Sequence, residues 1–354
     1  MNGSIVINAV RDEAMCADPS PSHLDEAPRV SVVIPTFRRP DLLSRCLEAV
    51  CAQSLAPDAY EVIVADDGHS DETRTLVERF DARDGPAVRY VRPQGGRGPA
   101  VARNAGWRAA RTDLIAFTDD DTVPASDWLA AGERDLEPGW SALCGRVVVP
   151  RRIGSDGAAL PPTDHELMTR GLESAEFVTA NAFVRRSALL AVSGFDERFR
   201  RAWREDSDLQ FRLQREAGPV GRSVDAVVEH PVRPEAWGVS LRQQKNVFFD
   251  ALLYKKHPEL YRERILAAPP WNYYAIVALT VAALPLALAN ARRTSAVGLG
   301  LAAIGVAALA ARRLQPTATN PEHVVEMLAT SAGIPFLSVY WRLRGAWHFR
   351  VPYW

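Results

Sequence analysis

Three consecutive aspartates, Asp119-Asp120-Asp121, are the residues of this sequence best suited to hold a metal ion. They follow the apolar run Leu114–Phe117, which is typical of a buried strand. Adjacent carboxylates repel one another unless a cation neutralises them, and Mg²⁺ or Mn²⁺ prefers oxygen ligands and also binds phosphates. The triplet therefore predicts a divalent-cation site, whereas the alternative is a solvated turn before a helix that begins near Ser126.

A second acidic pair, Asp66-Asp67, ends another predicted strand and precedes Gly68. An Asp-Gly pair is a common turn. Beside Thr36, at the end of the first predicted strand, these carboxylates could bind the N–H and O–H groups of a nucleoside base and ribose.

Further along the chain, Arg97 lies within the glycine-rich run 95–98 and Arg103 in the helical pattern that follows it. Either arginine could bind phosphate, and the alternative for each is a solvated surface side chain. Asp206, next to Glu205, is a candidate general base for a hydroxyl group; the alternative is a helix-start acid. His230, at a predicted strand end, is a candidate third metal ligand, although a lone histidine is more often structural.

The elements that must position these residues alternate regularly. Buried-strand patterns at residues 30–35, 61–65, 88–91 and 114–117 are separated by helical patterns that begin at residues 41, 71 and 99. This alternation predicts an α/β fold with a doubly wound, mainly parallel sheet, in which ligands bind beyond the carboxyl ends of the strands. All the acidic motifs should then meet at one edge of the sheet.

The composition of the chain favours a folded protein and disfavours some classes of partner. The 354 residues are 47% hydrophobic and 24% charged with a net charge of -1, so a folded core is expected and nucleic acid is a poor candidate partner. Four cysteines, Cys16, Cys46, Cys51 and Cys144, show no ligand-like spacing, which fits a reducing compartment. Cys46 and Cys51 lie in a helical pattern and are predicted to be buried thiols. Residues 1–28 lack an apolar segment and predict a disordered leader.

The composition changes near Pro269. Two apolar segments, residues 271–289 and 296–311, predict a membrane-associated helical hairpin, although a buried soluble hairpin is an alternative. A tail rich in tryptophan and arginine suits a membrane interface. Arg292 and Arg293, between the two segments, conflict with the positive-inside tendency if the hairpin spans the bilayer. Attachment is therefore expected, and whether the hairpin spans stays open.

Six short motifs taken together resemble the family 2 glycosyltransferases of bacterial, membrane-associated type, which are inverting enzymes with the GT-A fold. The motifs are VVIPT (32–36), VADDG (64–68), ARNAG (102–106), FTDDD (117–121), GFDE (194–197) and ED (205–206). The glutamine-x-x-arginine-tryptophan signature of processive synthases is absent after Leu241, which favours addition of one or a few sugars.

The resemblance implies roles for individual residues. Asp121 would ligate the metal, Asp119 would contact the nucleoside, Asp67 with Thr36 would contact base and ribose, and Asp206 would be the catalytic base with Glu205 beside it. The remaining motif positions would complete the donor site: Pro35, Arg38, Asp66, Arg97, Arg103, Asn104 and Asp120.

The predicted organisation is a leader (1–28), a GT-A nucleotide-sugar-binding and catalytic domain (29–232), a helical linker (233–268), the hairpin (269–313) and an amphipathic aromatic and arginine-rich tail (314–354). The expected activity is metal-dependent transfer of a sugar from a nucleoside-diphosphate sugar to a glycan or lipid-linked acceptor at the cytoplasmic face of the cell membrane. The alternatives are a non-catalytic nucleotide-binding membrane partner, a sugar nucleotidyltransferase and a glycoside hydrolase.

Overall fold

The computed structural model describes residues 27–353. The predicted disordered leader lies outside the described residues except for its last two positions, as do Cys16 and Trp354. Cys46 is a buried free thiol, as predicted, whereas Cys51, also predicted to be buried, is only partly buried; Cys144 is buried and free as well.

A single eight-stranded sheet organises the domain, in the order β3-β2-β1-β4-β7-β6-β8-β5. The strands are β1 (Val30–Thr36), β2 (Tyr60–Asp66), β3 (Ala87–Val91), β4 (Leu114–Phe117), β5 (Val123–Pro124), β6 (Ala142–Val148), β7 (Ala182–Arg185) and β8 (Val220–Glu229). β3, β2, β1 and β4 run parallel, as the alternating pattern predicted. β7 runs antiparallel to both β4 and β6, so the whole sheet is mixed.

Both faces of the sheet are covered, which explains the continuous apolar runs of the first strands. Val32 faces a core that includes Leu43 and Val77, whereas the adjacent Val33 faces a core that includes Trp107 and Leu209. Successive side chains of a strand point to opposite faces, so a strand buried on both sides needs apolar residues at every position.

Helices pack on these two faces. They are α1 (Pro40–Cys51), α2 (Asp71–Asp81), α3 (Pro99–Ala109), α4 (Trp128–Asp135), α5 (Asp164–Thr169), α6 (Gly171–Ser174), α7 (Arg186–Ala191) and α8 (Glu205–Glu216). The predicted loop from Pro150 to Asp164 is irregular apart from one bridge between Ile153 and Ala159.

The segment after β8 differs from the predicted helical linker. Residues 231–238 are not helical, because Pro231 and Pro234 interrupt the pattern and Gly238 adopts a left-handed conformation with φ 76°. Helices then follow as α9 (Val239–Gln243), α10 (Val247–Lys256) and α11 (Pro258–Arg264).

Three long apolar helices complete the described chain: α12 (Trp271–Leu288), α13 (Arg292–Leu314) and α14 (Pro321–Phe349). Each is long and apolar enough to cross a membrane. The first two correspond to the predicted hairpin. α14 occupies the predicted amphipathic tail, and its buried side includes polar residues such as Thr330, Ser331 and Arg342.

Candidate active site

The carboxyl ends of β1, β2 and β4 meet at one edge of the sheet, because these three strands are adjacent and parallel. Thr36, at the end of β1, donates a 2.7 Å hydrogen bond from Oγ1 to Oδ2 of Asp120. The backbone N–H of Asp67 donates to the carbonyl oxygen of Thr36 at 3.0 Å. The predicted convergence of the three motifs is therefore confirmed.

Each aspartate of the triplet has an arginine neighbour. Arg103 contacts Asp119 at 2.7 Å, Arg39 contacts Asp120 at 3.2 Å and Arg233 contacts Asp121 at 3.0 Å. Repulsion between the carboxylates is thus already reduced by protein cations, so charge balance alone does not require a metal.

Geometry supports a metal site more directly. Asp119, Asp121 and His230 each offer one ligand atom, and these atoms all lie within 4.8 Å of one another. Two carboxylates and an imidazole form a donor set that fits Mn²⁺ or Mg²⁺. Burial raises the pKa of Asp119, but Arg103, His230 and Arg39 outweigh burial and keep the pKa below its usual value. Asp119 is therefore ionised, as a ligand must be.

Asp120 is the exception within the triplet. It is 3% exposed, and burial raises its pKa to about 6 despite the neighbouring Arg39. Its two oxygens are occupied by Thr36 and Arg39. Through Asp120, the aspartate triplet is therefore hydrogen-bonded to the end of β1.

Buried Arg103 connects the triplet to the start of α8. One of its guanidinium nitrogens contacts Asp119, and the other contacts Oε1 of Glu205 at 3.0 Å. Arg103 and Glu205 are 3% and 2% exposed. Burial and the adjacent Asp206 raise the pKa of Glu205 to about 8, with Arg103 opposing them.

Asp206 is held at the same edge of the sheet by a single residue, Thr179. Oδ1 of Asp206 accepts a 2.8 Å hydrogen bond from the Thr179 hydroxyl, and Oδ2 accepts from the Thr179 backbone N–H at 3.3 Å. Burial raises the pKa of Asp206, Arg103 opposes this shift, and Asp119 adds to it. A carboxylate with a raised pKa is a better proton acceptor near neutral pH.

The turn before these two acids is fixed from the far side by Asp250 of α10. Arg204 adopts a left-handed conformation with φ 75°, which is uncommon for a residue other than glycine. Asp250 accepts hydrogen bonds from Trp203 Nε1 at 2.8 Å and from Arg204 Nε at 2.7 Å. These contacts fix the backbone from which Glu205 and Asp206 project.

The predicted donor-site residues divide into two groups. Asp67 has one carboxylate oxygen bonded to the Gly98 backbone N–H at 2.9 Å, whereas its other oxygen is buried with no hydrogen-bond partner among residues 27–353. Arg97 is exposed, and Arg38 has a positive φ of 54° beside Gly68. These three side chains can reach a ligand.

The second group makes internal contacts. Asp66 accepts from Gly68, Ser70 and Tyr90, and so fixes the turn into α2. Asn104 bonds Trp107, Glu197 and the Phe195 backbone, and so ties α3 to the segment before α8. Pro35 is a buried residue of β1.

Sequence reasoning missed four residues of this site: Arg39, Thr179, Arg233 and Asp250. No motif signals them, since each acts through a partner distant in sequence. Arg103, predicted as a phosphate contact or a solvated surface side chain, is instead buried and bonds Asp119 and Glu205. Its spacing from these two residues follows no local sequence pattern.

Residues 31–192 match the model of the family described as glycosyl transferase family 2. The chain contains a family 2 glycosyltransferase domain. The match includes Thr36, Asp67 and the aspartate triplet, whereas Glu205, Asp206 and His230 lie beyond its end.

Relatives of the family 2 domain support this assignment. The chain is 29% identical over 259 residues to validoxylamine A glucosyltransferase of Streptomyces hygroscopicus subsp. limoneus. The aligned region covers 64% of this chain and 54% of that protein. It is 26% identical over 176 residues to GalNAc(5)-diNAcBac-PP-undecaprenol beta-1,3-glucosyltransferase of Campylobacter jejuni. This second aligned region covers 49% of this chain and 56% of that protein. The chain thus spans little more than half the length of these relatives.

The fold of the domain also has a solved counterpart. A mannosyltransferase from Pyrobaculum calidifontis, solved with GDP-Man and Mn²⁺, superposes with a TM-score of 0.55 at 20% identity. The match covers 91% of this chain and 88% of that one. The expected GT-A fold, a mixed α/β sheet with flanking helices, is therefore confirmed.

Proposed function

We propose that the protein transfers a sugar from a nucleoside-diphosphate sugar to an acceptor hydroxyl with inversion at the anomeric carbon. The observation that carries the proposal is the position of Asp206 relative to the triplet. Arg103 bonds both Asp119 and Glu205, the neighbour of Asp206, so a candidate base and a candidate cation site lie at one edge of the sheet.

Donor recognition is assigned to the ends of β1 and β2. The unpartnered Asp67 oxygen is an acceptor for an N–H of the base or an O–H of the ribose. Arg97 and Arg38 are the cations available for the diphosphate. Asp66, Asn104, Pro35 and Asp120 support this surface from behind.

A divalent cation, Mg²⁺ or Mn²⁺, would be held by Asp119, Asp121 and His230. When bound, it supplies positive charge that stabilises the leaving diphosphate. The relative solved with GDP-Man and Mn²⁺ shares the fold and so supports this assignment.

The chemistry assigned to the chain's own residues is proton removal. Asp206 accepts the proton of the acceptor hydroxyl as the oxygen attacks the anomeric carbon. Attack from the face opposite the leaving diphosphate inverts the configuration. Thr179 keeps both Asp206 oxygens oriented, and Arg103 fixes the adjacent Glu205.

The acceptor is proposed to be a cell-envelope or lipid-linked glycan. The Campylobacter jejuni relative is named for a glycan linked to undecaprenol, and three apolar helices suggest membrane association. We assign attachment to the hairpin of α12 and α13, with the domain at the cytoplasmic face.

Calorimetric titration of the full-length protein with UDP, GDP and dTDP, each with and without Mn²⁺, tests this function. We expect one nucleotide to bind tightly only when Mn²⁺ is present, and Asp121→Asn to abolish that binding. Asp127→Asn, an exposed aspartate on the same connection, is the control and should bind as the wild type does. If none of the three nucleotides binds, the donor-site assignment is wrong; if a nucleotide binds equally well without Mn²⁺, the metal assignment is wrong.

A further inference from the structure

A cavity of about 550 Å³ lies between the segment of residues 150–166, residues 231–239 and the first two turns of α14. We propose that this cavity binds the acceptor, and that the acceptor group it takes is neutral and rich in hydroxyl groups, such as a sugar or a polyol. This inference rests on the proposed function and specifies its second substrate.

The position of the cavity connects it to the candidate active site. Pro231, Val232 and Arg233 form part of its wall and directly follow His230 along the chain. Arg233 also contacts Asp121 at 3.0 Å. A molecule in the cavity therefore lies next to the edge where the donor is proposed to bind.

The wall carries the groups that recognise sugars. Trp237 is 51% exposed, so one part of its ring is free to cover the apolar face of a sugar ring. Glu322 and Glu326 provide carboxylates that accept hydrogen bonds from hydroxyl groups. Glu326 is fixed in place, because its Oε1 accepts a 2.7 Å hydrogen bond from the Gly238 backbone N–H.

Two buried histidine atoms in the wall lack partners. His323 is 5% exposed, and its Nε2 has no hydrogen-bond partner in the part of the chain that the structure describes. His165 is half-buried, and its buried Nδ1 also has no hydrogen-bond partner among the described residues. A buried polar atom without a partner is costly, and a ligand hydroxyl can donate to or accept from an imidazole nitrogen. These atoms point to a polar, uncharged ligand.

Charge argues against a phosphate-bearing group in the cavity. Five carboxylates line it, from Asp164, Glu166, Glu235, Glu322 and Glu326, against three arginines, Arg151, Arg152 and Arg233. Arg152 is paired with Glu166 and Arg233 with Asp121, while Asp164 is paired with Arg313 and Glu235 with Arg242. The charges left over in the wall are the carboxylates of Glu322 and Glu326 against Arg151. An anion would therefore meet a net negative wall, whereas hydroxyl groups would find acceptors.

The experiment is saturation-transfer NMR on the full-length protein in a sugar-free detergent. The neutral probes are cellobiose, maltose, chitobiose and myo-inositol, and the anionic probes are glycerol 1-phosphate and inorganic phosphate. We expect at least one neutral probe to bind the wild type and neither anionic probe to do so. Trp237→Ala and His323→Gln should each weaken that binding about fivefold, in keeping with the loss of one aromatic or hydrogen-bonding contact.

Leu190→Ala, which alters an exposed apolar residue outside the cavity, is the matched control and should bind the probe as the wild type does. UDP, GDP and dTDP titrations in parallel separate the two proposals. Unchanged nucleotide affinity with weakened probe binding supports the cavity assignment. Three outcomes would overturn the cavity assignment. The protein binds a nucleotide but no neutral probe, it binds only the anionic probes, or neither variant changes the binding of the neutral probe. Probe binding that depends on Trp237 in a protein that binds no nucleotide would support the cavity but remove the proposed function.

Discussion

Nη2 of Arg103 donates a 2.7 Å hydrogen bond to Oδ1 of Asp119, across 16 residues of sequence and from one element to another. The same guanidinium also bonds Glu205 at 3.0 Å. Its planar fork suits two carboxylates at once, which a lysine could not match. Arg103 therefore fixes the distance between the aspartate triplet on one side of the site and the start of α8 on the other.

Replacing Arg103 by methionine should destabilise the protein by about 3–5 kcal/mol, because it leaves the ionised Asp119 without its buried partner and removes the hydrogen bond to Glu205. Urea unfolding followed by tryptophan fluorescence measures the change. Arg108→Met is the matched control, since Arg108 lies on the same helix but is exposed and only loosely paired with Glu197. Its cost should stay below about 1 kcal/mol. Equal costs for the two variants would contradict the role given to Arg103.

Glu205→Gln should alter how stability depends on pH. The pKa of Glu205 is raised to about 8, whereas in the unfolded chain it lies near about 4.3. The folded state thus binds this proton more tightly, so the stability that Glu205 contributes is full below about pH 4 and is lost as pH rises through about 8. The variant should gain stability relative to wild type between pH 5 and pH 9.

Unfolding midpoints at three pH values across that range measure this gain. Glu216→Gln, at the exposed end of the same helix, should show no such trend. A constant difference between Glu205→Gln and wild type would mean that Arg103 keeps Glu205 ionised throughout.

The part of the fold that follows local pattern was predictable. β1 and β2 are apolar at nearly every position because both faces are covered, and helical spacing placed Leu43 and Val77 correctly. Parallel β1, β2 and β4 then had to bring Thr36, Asp67 and the triplet together. The antiparallel β7 was not predicted, because the direction of a strand depends on the path of the connecting chain rather than on its own residues.

The partners of the site residues could not be predicted for a related reason. Thr179 holds Asp206 from 27 residues away, and Asp250 holds Arg204 from 46 residues away. The number of residues between the partners predicts neither pairing, because both pairings depend on how separate helices and strands pack. The same holds for the three arginines beside the triplet. From the sequence, a metal ion was expected to neutralise the three carboxylates, and the contribution of these arginines was not predicted.

Asp250→Asn should lower kcat by about tenfold while leaving nucleotide affinity within about twofold, because Asp250 acts through the turn at Arg204 and not on the donor. Initial rates with a competent donor, together with nucleotide titration, separate the two effects. Asn246→Ala is the control: Asn246 accepts a hydrogen bond from Arg201 at the other end of the same segment. A loss of nucleotide affinity as large as the loss of rate would show that Asp250 supports the whole site rather than the turn.

Asp206→Asn should reduce transfer by about 10²–10⁴-fold, the usual contribution of a general base. The amide keeps the contacts to Thr179 available but cannot take the acceptor's proton. Donor-nucleotide affinity in calorimetry should stay close to the wild-type value. Asp225→Asn, an exposed aspartate paired with Arg134, should retain full activity. Equal losses of transfer and of donor affinity in Asp206→Asn would exclude the assignment as base.

The exposed faces of α12 and α13 should determine membrane attachment. Leu284 is 68% exposed and Leu301 is 53% exposed, far more than an apolar core residue would be. The domain end of this hairpin is fixed, because Arg313 pairs with Asp164 at 2.8 Å and so holds α13 against the catalytic domain. The opposite end of the hairpin is the connection at Asn290 and Arg292, and we expect this end to enter or cross the bilayer.

Replacing Leu284 and Leu301 by glutamate should reduce binding to phosphatidylglycerol–phosphatidylethanolamine vesicles by at least about tenfold, because charged side chains are costly in hydrocarbon. Vesicle flotation measures the bound fraction. Val224→Glu, at a 68% exposed position on β8, is the control and should float as the wild type does. Flotation of the double variant at the wild-type level would mean that α12 and α13 do not carry the attachment. Labelling of a cysteine introduced at Asn290 from inside or outside sealed vesicles then separates a spanning hairpin from one that enters a single leaflet.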